Sequence, residues 1–149
     1  FIQITTNNVQ EGVIFFGENR IKILYTKPEK ITIILSEKKG IFINHSLKES
    51  QFFATKNSYI KFFFDVFHKK EYLKNLIFKE SQYKIEISEI INLDNIFYNI
   101  KLVYENEPMN LRLLEIIENN DKIQMGFFNH ILEQGFEKKF FSMIDPYLN

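Results

Sequence analysis

Three histidines, His45, His68 and His130, are the side chains best able to bind a metal or act as a general base. They lie in separate segments, with no partner at metal-ligand spacing. Ser46 follows His45 directly, and neighbours on a strand or turn point apart, so the two do not make a nucleophile and its base. The acidic pairs Glu86/Glu89 and Glu105/Glu107 could be catalytic carboxylates, but in alternating segments they read as a solvated face. Five glycines stand singly, at Gly12, Gly17, Gly40, Gly126 and Gly135, so no glycine-rich loop is present to cradle a phosphate. Cysteine is absent, which excludes disulfides, zinc–thiolate sites, iron–sulfur clusters and thiol nucleophiles within this chain. The expectation is a protein that is not an enzyme and takes no metal or cofactor.

Charge and composition narrow the class further. Nineteen basic and nineteen acidic residues cancel, leaving no broad positive field to displace counterions from phosphates, so nucleic acid is not an expected partner. A length of 149 residues predicts a single domain over 1–149. The seventeen Phe accompany many Ile, Lys and Asn, a bias that A/T-rich codons produce whatever the protein does. No run of eighteen apolar residues predicts a membrane-spanning helix. The chain opens on Phe1 rather than Met, which reads as processed or trimmed, and a signal peptide could have preceded it.

The elements that must position these side chains alternate first at period two. Between residues 20 and 26, Ile21, Ile23 and Tyr25 share one face; Arg20, Lys22 and Thr26 share the other, which Leu24 interrupts. Further strands are predicted at 12–16, 31–36, 40–44 and 49–53, between breakers such as Gly17-Glu18-Asn19 and Lys27-Pro28-Glu29. Connections this short make antiparallel hairpins. The period then changes, because Tyr59, Phe62, Phe63, Val66 and Phe67 follow i, i+3, i+4, i+7, i+8 and predict a helix over 58–67 capped by Asn57 or Ser58. A second helical stretch is predicted over 70–78, with Tyr72, Leu73, Leu76 and Ile77 on one face. Alternation returns after Gln82, in Tyr83-Ile85-Ile87, Ile96-Tyr98-Ile100-Leu102, Leu111-Leu113 and Ile123-Met125-Phe127.

Strands, a helical insertion and more strands predict an α+β domain in which a single curved antiparallel sheet wraps around the helix. Ile21, Ile23, Tyr25, Ile33, Leu35 and Phe42 should line one apolar surface facing Tyr59, Phe62, Phe63 and Phe67. Such an arrangement closes as a filled core or encloses a lipid-sized cavity. Periodicity leaves both open, with the filled core the commoner outcome.

The run Arg20-Ile-Lys-Ile-Leu-Tyr-Thr-Lys-Pro28, followed by Ile33-Ile-Leu-Ser-Glu-Lys-Lys-Gly-Ile-Phe-Ile-Asn44, resembles a segment of the bacterial outer-membrane lipoprotein carriers, the LolA-like proteins. Tyr25 and Pro28 match the end of one family strand and its proline; Ser36 and Glu37 stand for a Ser-Asp pair. Phe42 takes the place of a Trp, and Asn44-His45 that of a Tyr-Asp or Tyr-Asn corner. Phe1-Ile2-Gln3 is similar to a Phe-x-Gln that follows an N-terminal helix, a helix this chain is expected to lack. Phe140 to Pro146 is similar to the family's closing Phe-x-x-x-x-Pro strand and turn. The family arginine that helps hold the lid closed falls at Gly17, with Glu18 at the following proline, which leaves Arg20 and Lys22 as the nearest candidates for gating. A family aromatic that touches cargo falls at Ile21.

The resemblance implies an incomplete β-barrel under a helical lid, whose cavity residues here would be Ile21, Ile23, Tyr25, Ile33, Leu35, Phe42, Tyr59, Phe62, Phe63 and Phe67. It implies a monomeric periplasmic carrier that binds the acyl chains of lipidated proteins and moves them from the inner to the outer membrane. Its partners would be an inner-membrane lipoprotein-releasing ABC transporter and an outer-membrane receptor. The residues alone also fit a solid-core interaction domain that pairs with a protein partner through the edges of its sheet, without lipid.

Overall fold

A computed structural model describes residues 1–56, 58–69 and 78–148, with Tyr59 described by its backbone only. The proposed cap Asn57, the Tyr59 side chain, and Tyr72, Leu73, Leu76 and Ile77 of the predicted second helical stretch lie outside the described residues. Phe78, at the end of that stretch, opens a strand instead.

Eleven strands make up about half of the described residues. They are β1 (Ile2–Ile4), β2 (Val9–Phe16), β3 (Ile21–Lys27), β4 (Ile31–Leu35), β5 (Lys39–Asn44) and β6 (Glu49–Ala54), then β7 (Phe78–Glu80), β8 (Lys84–Leu93), β9 (Ile96–Glu105), β10 (Asn110–Glu118) and β11 (Asp121–Gly126). Between β6 and β7 lies the helix α1 (Tyr59–His68), and a 3-10 turn occupies Lys138–Phe141. The chain divides into two compact units, one built from residues 10–70 and 133–149, the other from 1–9 and 71–132.

In the 10–70 unit, β2 to β6 pair antiparallel in chain order. Register aligns Phe16 with Ile21 and Leu35, and Ile14 with Ile23, Ile33 and Phe42, so these side chains leave one face of the sheet. Phe15, Lys22, Ile34 and Ile41 leave the other, as do Thr32 and Ile43. In the 71–132 unit the order is β1-β11-β10-β9-β8-β7, again antiparallel throughout. Two-residue turns join β8 to β9 and β10 to β11. Asp94 and Asn95 both adopt positive φ, as does Asn119, which suits the right-handed twist of the flanking strands. Ile87, Ile100, Leu102, Leu114, Ile116 and Met125 form this unit's buried face. On its opposite face Glu86 bridges Lys84 and Lys101, and Glu115 binds Lys122 and Gln124. Burial alone would raise the Glu115 carboxyl, but these donors outweigh it and hold the group below its ordinary range.

The fold is all-β, which overturns the α+β expectation of a curved sheet wrapped around a helical lid. Among the described residues α1 is the only α-helix, ten residues long. Its sequence suggested one apolar stripe, yet Phe62, Phe63, Phe64, Asp65 and Val66 are all buried. Five consecutive buried residues go round more than one turn of the helix, so α1 does not carry the single apolar stripe of an amphipathic layer. Asp65 is accommodated there by ion pairs to Lys61 and Lys69. Among the described residues no helix is long and apolar enough to cross a membrane.

Candidate functional site

The 10–70 unit brings six of the predicted site residues onto one sheet face. Ile21, Ile23 and Leu35 are buried there, whereas Tyr25, Ile33 and Phe42 are half-buried. α1 meets this face at the end near the β2–β3 turn, where the rings of Phe67 and Phe16 stand 4.4 Å apart and Phe63 packs edge-on against Phe67. The Phe62 and Phe63 side chains are buried. The last turn of α1 is tied to two turns of the sheet: His68 Nε2 lies 2.9 Å from the Gly17 carbonyl, and Lys69 binds Glu37 at 2.9 Å. The Lys69 ammonium holds the Glu37 carboxyl below its ordinary range. Thr55, fully buried, donates to the Glu37 carbonyl at 2.7 Å and receives support in turn from Ser58, which donates to the Thr55 carbonyl. The end of the face away from these turns, around Tyr25, Ile31, Ile33 and Phe42, stays partly accessible. Ile14, Phe16 and Phe53 share the face but were missing from the sequence prediction; the pairing of Phe16 with Ile21 is the signal that places them.

Residues 133–148 cover part of the opposite face, running over it without forming a strand, while Val13 and Phe52 of that face stay exposed. Phe136 and Phe140 pack edge-on against Phe15, at 5.7 and 5.0 Å between ring centroids. Met143 and Tyr147 pack on the cluster of Ile34, Ile41 and Ile43. Arg20 donates to the Phe141 carbonyl; Lys22 donates to the Phe140 carbonyl at 3.0 Å, with its ammonium 4.0 Å from the Phe140 ring centroid. Burial lowers the Lys22 pKa from its ordinary value. Arg20 and Lys22, the two gating candidates, therefore hold this C-terminal strap. Farther along, the Ser50 hydroxyl donates to Asp145, and His45 links the Tyr147 hydroxyl to Thr32 at 2.8 Å on each side.

No family model matches the chain, and no curated protein does either.

The remaining chemically able residues are dispersed. His130 Nε2 meets the Leu111 carbonyl at 2.9 Å, so each of the three histidines has backbone or hydroxyl partners in a different place. Glu105 is paired with Arg112, and Glu86 lies in the ion-pair row described above. Among the described residues no three His, Asp or Glu side chains are grouped so as to hold a metal ion.

Proposed function

We propose that this chain carries the acyl chains of lipidated proteins, taking them on the apolar face of the 10–70 unit beside α1. The observation that supports this reading is a row of half-buried apolar side chains: Tyr25, Ile31, Ile33 and Phe42 stand in register on one face, next to a short helix fastened by its last turn. An acyl chain gains roughly 0.8 kcal/mol per buried methylene, so about sixteen carbons left in water would cost on the order of 12 kcal/mol. A carrier must recover part of that and still release its cargo, which a partly covered sheet face does better than a sealed one. The resemblance to lipoprotein carriers extends the proposal to a periplasmic route between a releasing ABC transporter and an outer-membrane receptor.

Uptake of an environment-sensitive fluorescent fatty acid, with competition by a lipidated and a non-lipidated peptide, tests the reading. Ile33→Glu should abolish uptake while the fold, followed by circular dichroism, persists, because water reaches the half-buried carboxylate. Val13→Glu, exposed on the opposite face, should bind as the parent does. A parent protein that takes up no probe, or equal loss in both variants, rejects the carrier. The competing reading, pairing with a protein through an outer strand, draws on Phe52 of β6 and Phe78 of β7, which are 51% and 57% exposed.

A further inference from the structure

We infer, resting on the carrier reading above, that the peptide attached to the acyl chain binds as an added strand on β6, so that main chain as well as hydrocarbon holds the cargo. Register sets Ile33 beside Phe42 and Phe42 beside Gln51, which brings the apolar row to its end on β6. Gln51 and Glu49, which share that face, are exposed and polar. A hydrocarbon laid over Ile33 and Phe42 passes from apolar to polar ground at β6. The polar chain that follows it leaves the face there.

β6 is the outermost strand of the sheet in the 10–70 unit. The Thr55 N–H donates to the Lys38 carbonyl at 3.2 Å, and backbone groups alternate along a strand, so Phe53, Gln51 and Glu49 turn theirs toward β5. Ser50, Phe52 and Ala54 turn theirs outward, and among the described residues these backbone groups have no partner. Soluble proteins guard such an edge by shortness, proline, lysine, a bulge or a cover. β6 has six residues, no proline and no lysine, and it keeps one register with β5 throughout. β7, the outer strand of the other unit, shows the guarded form, three residues long with Lys79 at its centre. The Phe53 ring lies against Gly40 of β5, away from the edge. An unguarded edge at the polar end of an apolar row fits an extended peptide, and an acyl anchor already seated on the face delivers that peptide at high local concentration.

Competition for the fluorescent fatty acid by two probes tests this on the full chain. One is a palmitoylated hexapeptide of alternating Thr and Val; the other is the same lipopeptide methylated at its backbone nitrogens. The first should compete about tenfold more strongly, the worth of a few net main-chain hydrogen bonds less the cost of ordering the peptide. Phe52→Pro removes an outward N–H and none that pairs with β5, so fatty-acid uptake should persist while most of the tenfold preference is lost. Phe52→Ala keeps that N–H and should keep the preference. Hydrogen exchange of the Ser50, Phe52 and Ala54 amides in the parent should slow with the first lipopeptide and not with its methylated twin. Equal competition by the two, with fatty-acid uptake intact, overturns the strand addition and leaves the carrier standing; absence of uptake overturns both. Outward amides already protected in the free chain, in step with a concentration-dependent dimer, assign the edge to a second copy and overturn the inference as well. The exchange measurement decides alone should Phe52→Pro fail to fold.

Discussion

Gly17→Ala probes how the strap is seated. A Cβ added at Gly17 would lie 2.8 and 2.9 Å from Cε2 and Cζ of Phe141, and 3.2 Å from Cδ2, where carbon atoms prefer about 3.5–4.0 Å. The ring cannot swing aside freely. Phe136 and Phe140 stand edge-on to it at 5.5 and 5.1 Å, and Arg20 holds the Phe141 carbonyl. Overpacking of this kind costs about 1–3 kcal/mol. Gly17 has no positive φ, so alanine adds no backbone strain and returns roughly 0.4–1 kcal/mol through the unfolded chain. The expected net loss is about 1–2 kcal/mol, a fall in Tm of about 2–8 °C for a chain of this size. In a Phe141→Ala background the obstacle is gone, and the same Gly17→Ala change should be neutral or stabilising. Thermal and urea unfolding of the four proteins, followed by circular dichroism, gives the coupling between the two positions. Equal destabilisation in both backgrounds, with coupling inside the roughly 0.3–0.5 kcal/mol of ordinary additivity, would falsify the account.

Two predictions concern pH. The Ser50 hydroxyl, helped by the Tyr147 N–H, holds the Asp145 carboxyl below its ordinary 3.8, so its contribution is present above that value and lost as pH falls through the depressed native one. Ser50→Ala should therefore let acid release the strap at a higher pH, read as protease sensitivity of residues 133–148; an unchanged midpoint contradicts this. Burial pushes the Tyr104 phenol from 10.0 up to about 12, so the neutral form is favoured in the fold and its stabilisation, full below about 10, is lost as pH rises toward 12. Phenolate absorbance should show a late step that Tyr104→Phe removes, and a titration identical in both proteins would count against the burial argument.

Period-two alternation made much of the sheet legible. Ile21, Ile23 and Tyr25 do share a face with Ile33, Leu35 and Phe42, because a single slip in register would have turned every one of them to the other side. The helix was read less well. The i, i+3, i+4 pattern found Phe62 and Phe63 but passed over Phe64 and Asp65, since periodicity describes a helix with one buried stripe and the burial of residues 62–66 goes round a full turn. Arg20 and Lys22 were visible as isolated cations, but their partners are carbonyls of residues 140 and 141, about a hundred and twenty positions away. Resemblance suggested a closing strand and turn over Phe140 to Pro146, but the segment forms a 3-10 turn at Lys138–Phe141 and no strand, since its backbone is held by side chains reaching to it and not by a neighbouring strand.

Neither unit is made from one stretch of chain, and this constrains the order in which the protein can be finished as it leaves the ribosome. Hairpins β2 to β6 form from near neighbours and can assemble early, but β1 must wait for β11, where Ile2 meets Gly126 and Ile4 meets Gln124. Closing so long a loop is slow compared with zipping a hairpin. Until residues 133–148 have been synthesised, Ile34, Ile41 and Ile43 lack Met143 and Tyr147. A growing chain therefore displays an apolar sheet surface until residues 133–148 follow, the kind of surface that chaperones shield and that stalled or truncated products lose to aggregation.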